Sequence, residues 1–349
     1  MRLLPAPASQ ANRRQPARPL GRLTALTTLV VVAGALAAAG CSAGGSNATA
    51  GGTVTVAAVP GVDDAPLFYA KHDGLFSNAG VTVKIKDYST VGAEVTALQK
   101  GQVDIAAGDY GNFFYAQGQS SSSGQIKIVA AGYAAGPSVV EVLTYPGSPV
   151  TSPDDLVAPN VKVGMPSEEA LPGRNLNPPS LDAAAAESVL SSYVAAKSGE
   201  IDWVDLSQAQ EVAQLKAHKI QAALLTEPYI YQAETAFGAT EVLDACSGAT
   251  ASLPLSGYFA MAAWSAHNTA AIADFQSAIE KAQAAAAMPG PVQSVLPIAT
   301  GMSAQDASLV TVGSYPTTTN AVAIQRVATL MWDDALTPKP VNVPKMIIK

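Results

Sequence analysis

Thr53-Val-Thr-Val-Ala-Ala-Val59, then Pro60-Gly61, then Asp63-Asp64 before Ala65-Pro-Leu-Phe-Tyr-Ala-Lys-His72, then Gly74, then Val81-Thr-Val-Lys-Ile-Lys-Asp-Tyr88: the fold turns on this stretch. The first run is β-branched and mostly apolar, so it reads as a strand, ended by Pro-Gly. Acidic residues followed by a proline mark a helix start, because proline at the first turn gives up only an N–H that has no intrahelical partner. Gly74 closes that helix, and the alternation from Val81 reads as a half-buried strand.

The same alternation continues outward. Glu94 to Lys100 is predicted helical, Val103 to Ala107 a buried strand, Gly108 to Gln117 a turn into a helix, and Ile126 to Ala131 a strand. Further on, strands are predicted at Val161 to Met165, Ile201 to Leu206, Ile220 to Leu225, Glu241 to Asp244 and Tyr258 to Trp264. Helices are predicted at Ser180 to Lys197, Gln208 to His218, His267 to Met288 and Thr318 to Leu336, with another starting at Glu227-Pro228-Tyr229. Strand and helix in alternation predict an α/β protein with largely parallel sheets, and 349 residues suffice for two lobes.

The N-terminus reads as a processing segment. Residues 1–40 carry five arginines (Arg2, Arg13, Arg14, Arg18, Arg22) and no acid, and Leu23 to Ala39 is an uncharged apolar run before Ala38-Ala39-Gly40-Cys41. A basic region, an apolar stretch and small residues before a cut site describe a signal peptide. Small residues before a cysteine resemble the bacterial lipobox, although Ala38 stands where leucine is usual; the resemblance implies lipidation of Cys41. Residues 41–51 then form a tether of small residues, holding the protein on the extracytoplasmic face of the membrane. From Cys41 onward 15 basic residues face 27 acidic ones, a formal charge of −12. Nucleic acid is therefore an unlikely partner in electrostatic terms. Cys246, the other cysteine, is expected as a small core residue.

Several segments together resemble the nitrate/sulfonate/taurine/thiamine-precursor-binding proteins of ABC transporters. They are Ala65 to Val83, with its Gly-Leu-Phe and Gly-aliphatic-x-Val pattern, Ala97-Leu-Gln-Lys-Gly-Gln-Val-Asp-Ile-Ala106, Ser148 to Leu156, Thr226-Glu-Pro-Tyr229 and Tyr315 to Pro340. The resemblance implies a two-lobed, type II periplasmic-binding-protein-like fold with the ligand cleft between lobes. Lobe one is then expected at 52–142 plus 257–349 and lobe two at 143–256. It also implies a monomeric substrate-binding lipoprotein that hands a small-molecule ligand to an ABC permease, with no cofactor.

In open α/β sheets ligands sit beyond the carboxyl ends of strands, where helix N-termini offer free N–H groups. Five turns qualify: Gly61 to Pro66, Gly108 to Asn112, Gly132-Tyr133, Ser167 to Glu169 and Glu227 to Tyr229. The candidate ligand-binding residues are Asp63, Asp64, Asp109, Tyr110, Asn112, Tyr133, Ser167, Glu168, Glu227 and Tyr229. Each has a plainer reading: the aspartates as helix caps, Glu227 as a helix-dipole partner, the tyrosines as ordinary lobe surface. Trp203, Trp264 and Trp332 are expected in the core. Acids in most of these turns, and no arginine nearer than Arg174, favour a neutral or cationic nitrogenous ligand over a free anion.

No His-Glu-x-x-His, Gly-x-Ser-x-Gly or Gly-rich phosphate loop is present, so no enzyme activity and no metal site are expected. An exported sensor or adhesion lipoprotein, and an enzyme on the same fold, are the other readings the residues leave open.

Overall fold

The structure is a computed structural model that describes residues 52–122, 125–172, 176–195 and 200–348. The predicted signal peptide, Cys41, the tether up to Gly51 and Arg174 lie outside these residues.

The strands form two five-stranded sheets of identical order. The first contains β1 (Thr53–Ala58), β2 (Thr82–Asp87), β3 (Ile105–Asp109), β4 (Ile126–Ala131) and β10 (Ser256–Met261), arranged β2-β1-β3-β10-β4. The second contains β5 (Val140–Thr144), β6 (Val163–Pro166), β7 (Trp203–Leu206), β8 (Ala222–Thr226) and β9 (Thr240–Asp244), arranged β7-β6-β8-β5-β9. In each sheet the three strands joined by helical crossovers pair in parallel.

The sheets are mixed rather than largely parallel, for a topological reason. The chain crosses from the first sheet to the second between β4 and β5, and returns between β9 and β10. Each crossing delivers one strand from the opposite direction: β5 is antiparallel to β8 and β9, and β10 to β3 and β4. Since β5 begins at Val140, an expected lobe boundary at 142/143 falls inside a strand of the second sheet; the crossing occupies residues 132–139.

Local chemistry sets the helix starts. Pro66 sits in the first turn of the Ala65–His72 helix, Thr90 Oγ1 caps Val91–Gln99, and Ser180 and Ser207 cap Leu181–Leu190 and Gln208–Lys216. Gly74 and Gly80 flank the short Leu75–Ala79 helix with φ of 72° and 97°, a region closed to most side chains.

Three sequence-based expectations differ from the structure. β5 and the Pro289–Thr300 helix are absent from the sequence-based list of elements; the second begins at a proline and holds Pro297 inside. Trp264 lies in the Ala262–His267 helix rather than in a strand. Trp332 is 44% exposed on the outer side of the Ala321–Asp333 helix, while Trp203 is partly buried with its indole N–H donating to Glu187 Oε1 at 2.8 Å. Cys246 is a buried free thiol, as its composition suggested.

Candidate functional site

All the predicted turns except Ser167 and the start of the Tyr110–Gln119 helix border one cavity of about 420 Å³, a volume in the range of small-molecule sites. It lies where the strands end: Val59 to Asp64 after β1, Gly108 and Asp109 at the end of β3, Glu168 and Glu169 after β6, and Glu227 to Tyr229 after β8. Tyr133 comes from the first crossing and Ser256 from the first position of β10, just after the second. The pocket therefore has walls from both sheets.

Direct hydrogen bonds span it. The Val91 N–H, on the first sheet's side, donates to Glu168 O at 2.9 Å, and Asn112 Nδ2 donates to Glu169 O at 2.9 Å. Gly111 permits this approach: a Cβ there would stand 2.9 Å from the Leu181 Cβ of the opposite lobe. A strap from the C-terminal segment ties onto lining residues of the pocket. Ala134 and Ser314 exchange backbone hydrogen bonds at 2.9 and 3.0 Å, and Tyr133 Oη accepts from the Gly313 N–H. The Tyr315 hydroxyl donates to Val62 O at 2.6 Å, and the Tyr133 and Tyr315 ring centroids are 5.2 Å apart.

The structure sorts the sequence-predicted residues. Asp63, Asp64, Asp109, Tyr133, Glu168, Glu227 and Tyr229 line the cavity. Tyr110 does not: it is 0% exposed, packed against Phe114 and edge-on to Phe259. Asn112 is buried behind Asp109 as its partner, and Ser167 stands beside Glu168 without lining the pocket. Among the lining residues that sequence reading did not single out are Tyr88, Glu169, Asp182, Gln208 and Ser256. Glu169 closes the predicted Ser167 to Glu169 turn without being among its candidate contacts; Asp182 reads in sequence only as a first-turn helix acid.

The wall is strongly acidic. Asp109 caps its helix, accepting from the Asn112 N–H at 2.7 Å and from Asn112 Nδ2 at 3.0 Å. Burial nevertheless pushes its carboxyl up to about 7, with the charges of Asp182 and Asp63 adding to the rise. Asp63 is pushed up to about 6 by burial, opposed by a hydrogen bond from Ser256. Asp64, 3% exposed, is raised well above the usual carboxylate range by burial and by Asp63. Glu169 and Asp182 are hydrogen-bonded to each other; burial and the Asp182 charge keep the proton on Glu169, and burial raises Asp182 to about 6. Glu227 is raised by burial, with both oxygens held: Oε1 accepts from the Thr311 N–H at 2.9 Å and Oε2 from the Tyr231 N–H at 3.2 Å.

A sequence model of the NMT1-like family matches residues 48–286. The chain belongs to the NMT1-like family. No protein of curated function matches it in sequence. Solved structures share the fold of this family member at low identity. The zinc-bound ligand-binding component of an ABC-type import system from Staphylococcus aureus is 15% identical, covering 85% of this chain and 96% of its own, with a TM-score of 0.69. The periplasmic aliphatic sulphonate-binding protein SsuA from Escherichia coli is 16% identical, covering 84% and 97%, TM-score 0.66. The desulfurization enzyme DSZB is 15% identical, covering 84% and 96%, TM-score 0.64. The family member thus has the two-sheet periplasmic-binding-protein fold. Such a fold carries binders and at least one enzyme, so function has to be argued from the cleft.

Proposed function

We propose that this chain is the extracytoplasmic solute-binding component of an ABC importer, closing two lobes on a small polar, nitrogenous molecule and presenting it to a permease. The carrying observation is the cavity of about 420 Å³ built from strand ends of both sheets and spanned by hydrogen bonds between them. A binding protein works by a difference in lobe closure with and without ligand, and these contacts exist only when the lobes meet. The N-terminal basic and apolar pattern supports export, and Cys41 supports a lipid anchor. Among the described residues no helix is long and apolar enough to cross a membrane. Among the described residues the cleft lining contains neither histidine nor cysteine, which favours a carrier over covalent or imidazole-based chemistry.

Native mass spectrometry of the purified full-length chain, followed by denaturation and identification of what is released, tests this. A stoichiometric small molecule recovered unchanged is the expected result. A compound chemically converted on incubation would make the protein an enzyme. Absence of any small molecule, together with no stabilisation by small-molecule extracts, would favour an exported sensor or adhesion protein.

A further inference from the structure

Among the described residues seven carboxyl side chains line the cleft, and no lysine, arginine or histidine does. An eighth stands behind the floor. Glu94 is 0% exposed, and neither of its oxygens has a hydrogen bond of good geometry. Its Oε2 lies 2.7 Å from where a Cβ on Gly108 would stand, and Gly108 lines the cleft. The missing side chain at Gly108 leaves room for this carboxyl directly behind the floor of the pocket. A buried carboxyl whose oxygens make no hydrogen bond of good geometry is costly.

The acids also come from both lobes. Asp109 belongs to the first sheet, Glu169 and Asp182 to the segment after β6 in the second. Bringing them together ionised is opposed by desolvation and by mutual repulsion in a medium of low dielectric constant. Burial and mutual repulsion raise both Glu169 and Asp182 and favour a proton held between them. A positive charge placed between the lobes would relieve the repulsion better.

A bare metal ion fits this cleft poorly. Among the described residues no three His, Cys, Asp or Glu side chains converge closely enough to hold one, and zinc favours nitrogen and sulfur donors. A cavity of about 420 Å³ is far larger than an ion. Its tyrosines, Tyr88, Tyr133 and Tyr229, offer ring faces suited to organic cations.

We propose that the cleft selects a small organic cation, a molecule bearing a protonated amine or amidine, whose charge replaces protons held among Asp109, Glu169 and Asp182 as the lobes close. This rests on the solute-binding reading above and specifies its ligand. The balance is simple: one cation enters, and carboxyl protons leave to solvent. The groups facing the three acids are Asp63, which raises all three, and Asn112, which lowers Asp109; Glu94 in turn feels Asp64, Asp63 and Asp109. All of the carboxyls among them favour protonation in the empty cleft. Binding therefore strengthens as pH rises through about 6 to 7, the values to which Asp182 and Asp109 are raised.

The test uses the full-length chain and the small-molecule fraction of rich growth medium, split by ion exchange into cationic, neutral and anionic pools, with zinc chloride as a fourth probe. The cationic pool is expected to raise the thermal midpoint by about 5 °C or more at pH 7.5, and by less at pH 5.5. Asp109→Asn combined with Asp182→Asn should remove most of that rise, and Glu169→Gln alone should reduce it, which keeps the test valid if the double variant fails to fold. A rise from only the neutral pool, the anionic pool or zinc overturns the organic-cation proposal and leaves a binding protein. A cationic-pool rise that ignores both pH and the variants overturns the assigned acids. No rise from any probe overturns this proposal and the solute-binding reading together.

Discussion

Glu227 Oε1 accepts a 2.9 Å hydrogen bond from the backbone N–H of Thr311, 84 positions further along the chain. The same carboxyl lines the cleft and, through Oε2, holds the Tyr231 N–H in the helix that follows β8. Glu227 thus ties the second sheet to the C-terminal strap, and the strap ties back to the first sheet's crossing through Ala134 and Ser314. A residue legible in sequence as a helix-start acid is, in three dimensions, a clasp between lobes.

Removing the clasp leaves two backbone N–H groups without their acceptor. Glu227→Ala is expected to destabilise the protein by about 1–3 kcal/mol, and Glu227→Gln by less because one acceptor oxygen survives. Urea denaturation of both variants checks this; equal midpoints for Ala and wild type would show that the bond contributes nothing.

Gly313 is the tightest point of the strap. A Cβ there would stand 2.3 Å from the backbone oxygen of Ala134 and 3.0 Å from the Tyr133 ring. Since a backbone oxygen cannot swing aside as a side chain can, Gly313→Ala should displace the strap and cost about 2 kcal/mol or more. A lowered thermal midpoint with intact far-UV circular dichroism is the expected signature.

Stability of the ligand-free protein should fall as pH rises from about 4 to 8. The acids of the cleft have folded-state values raised from 3.8 toward 6 for Asp63 and Asp182 and toward 7 for Asp109. In that window the folded state binds more protons than the unfolded one, so the slope of unfolding free energy with pH is negative. The stabilisation is fully present below about 4 and lost as pH passes 7. Thermal scans across this range should show the midpoint dropping by about 5 °C; a midpoint that climbs steadily to pH 8 would contradict the protonated cleft.

Asp109 allows charge and capping to be separated. Asparagine caps a helix about as well as aspartate, whereas alanine removes the cap at about 1 kcal/mol. Asp109→Asn should therefore raise ligand-free stability at pH 7.5 and flatten the pH profile, while Asp109→Ala should offset that gain. Chemical denaturation of the pair at pH 5 and pH 7.5 separates the two effects.

The proposed anchor has a direct check. In a bacterial host, wild-type protein is expected in the membrane fraction and Cys41→Ser in the soluble exported fraction, since a single residue carries the lipid. Identical fractionation of the two would remove the anchor from the account.

Much of the site was legible because its residues are set by local rules. Prolines, caps and glycines mark strand ends and helix starts, and ligands collect at strand ends, so turns such as Asp63-Asp64 and Glu168-Glu169 could be picked out. Tyr110 marks where that reasoning stops. It follows Asp109 directly at the same strand end, yet the first turn of its helix points it into the core against Phe259 rather than toward the cleft. Periodicity does not say which side of a strand-to-helix turn faces the other lobe. β5 escaped because a fully buried strand flanked by Pro137 and Pro146 has no alternation to announce it.

The sequence by itself determined the α/β alternation, the acidic body, the N-terminal processing pattern and the turns where strands give way to helices, because each depends on residues adjacent along the chain. The tertiary structure alone decided that β5 and β10 enter their sheets backwards, that Glu227 meets Thr311, that Gly108 leaves room for Glu94 behind the cleft floor, and that Asp109 and Asp182 share one pocket. These pairings join positions tens of residues apart, and their energies, chiefly burial and charge repulsion at short range, exist only once the two sheets face each other.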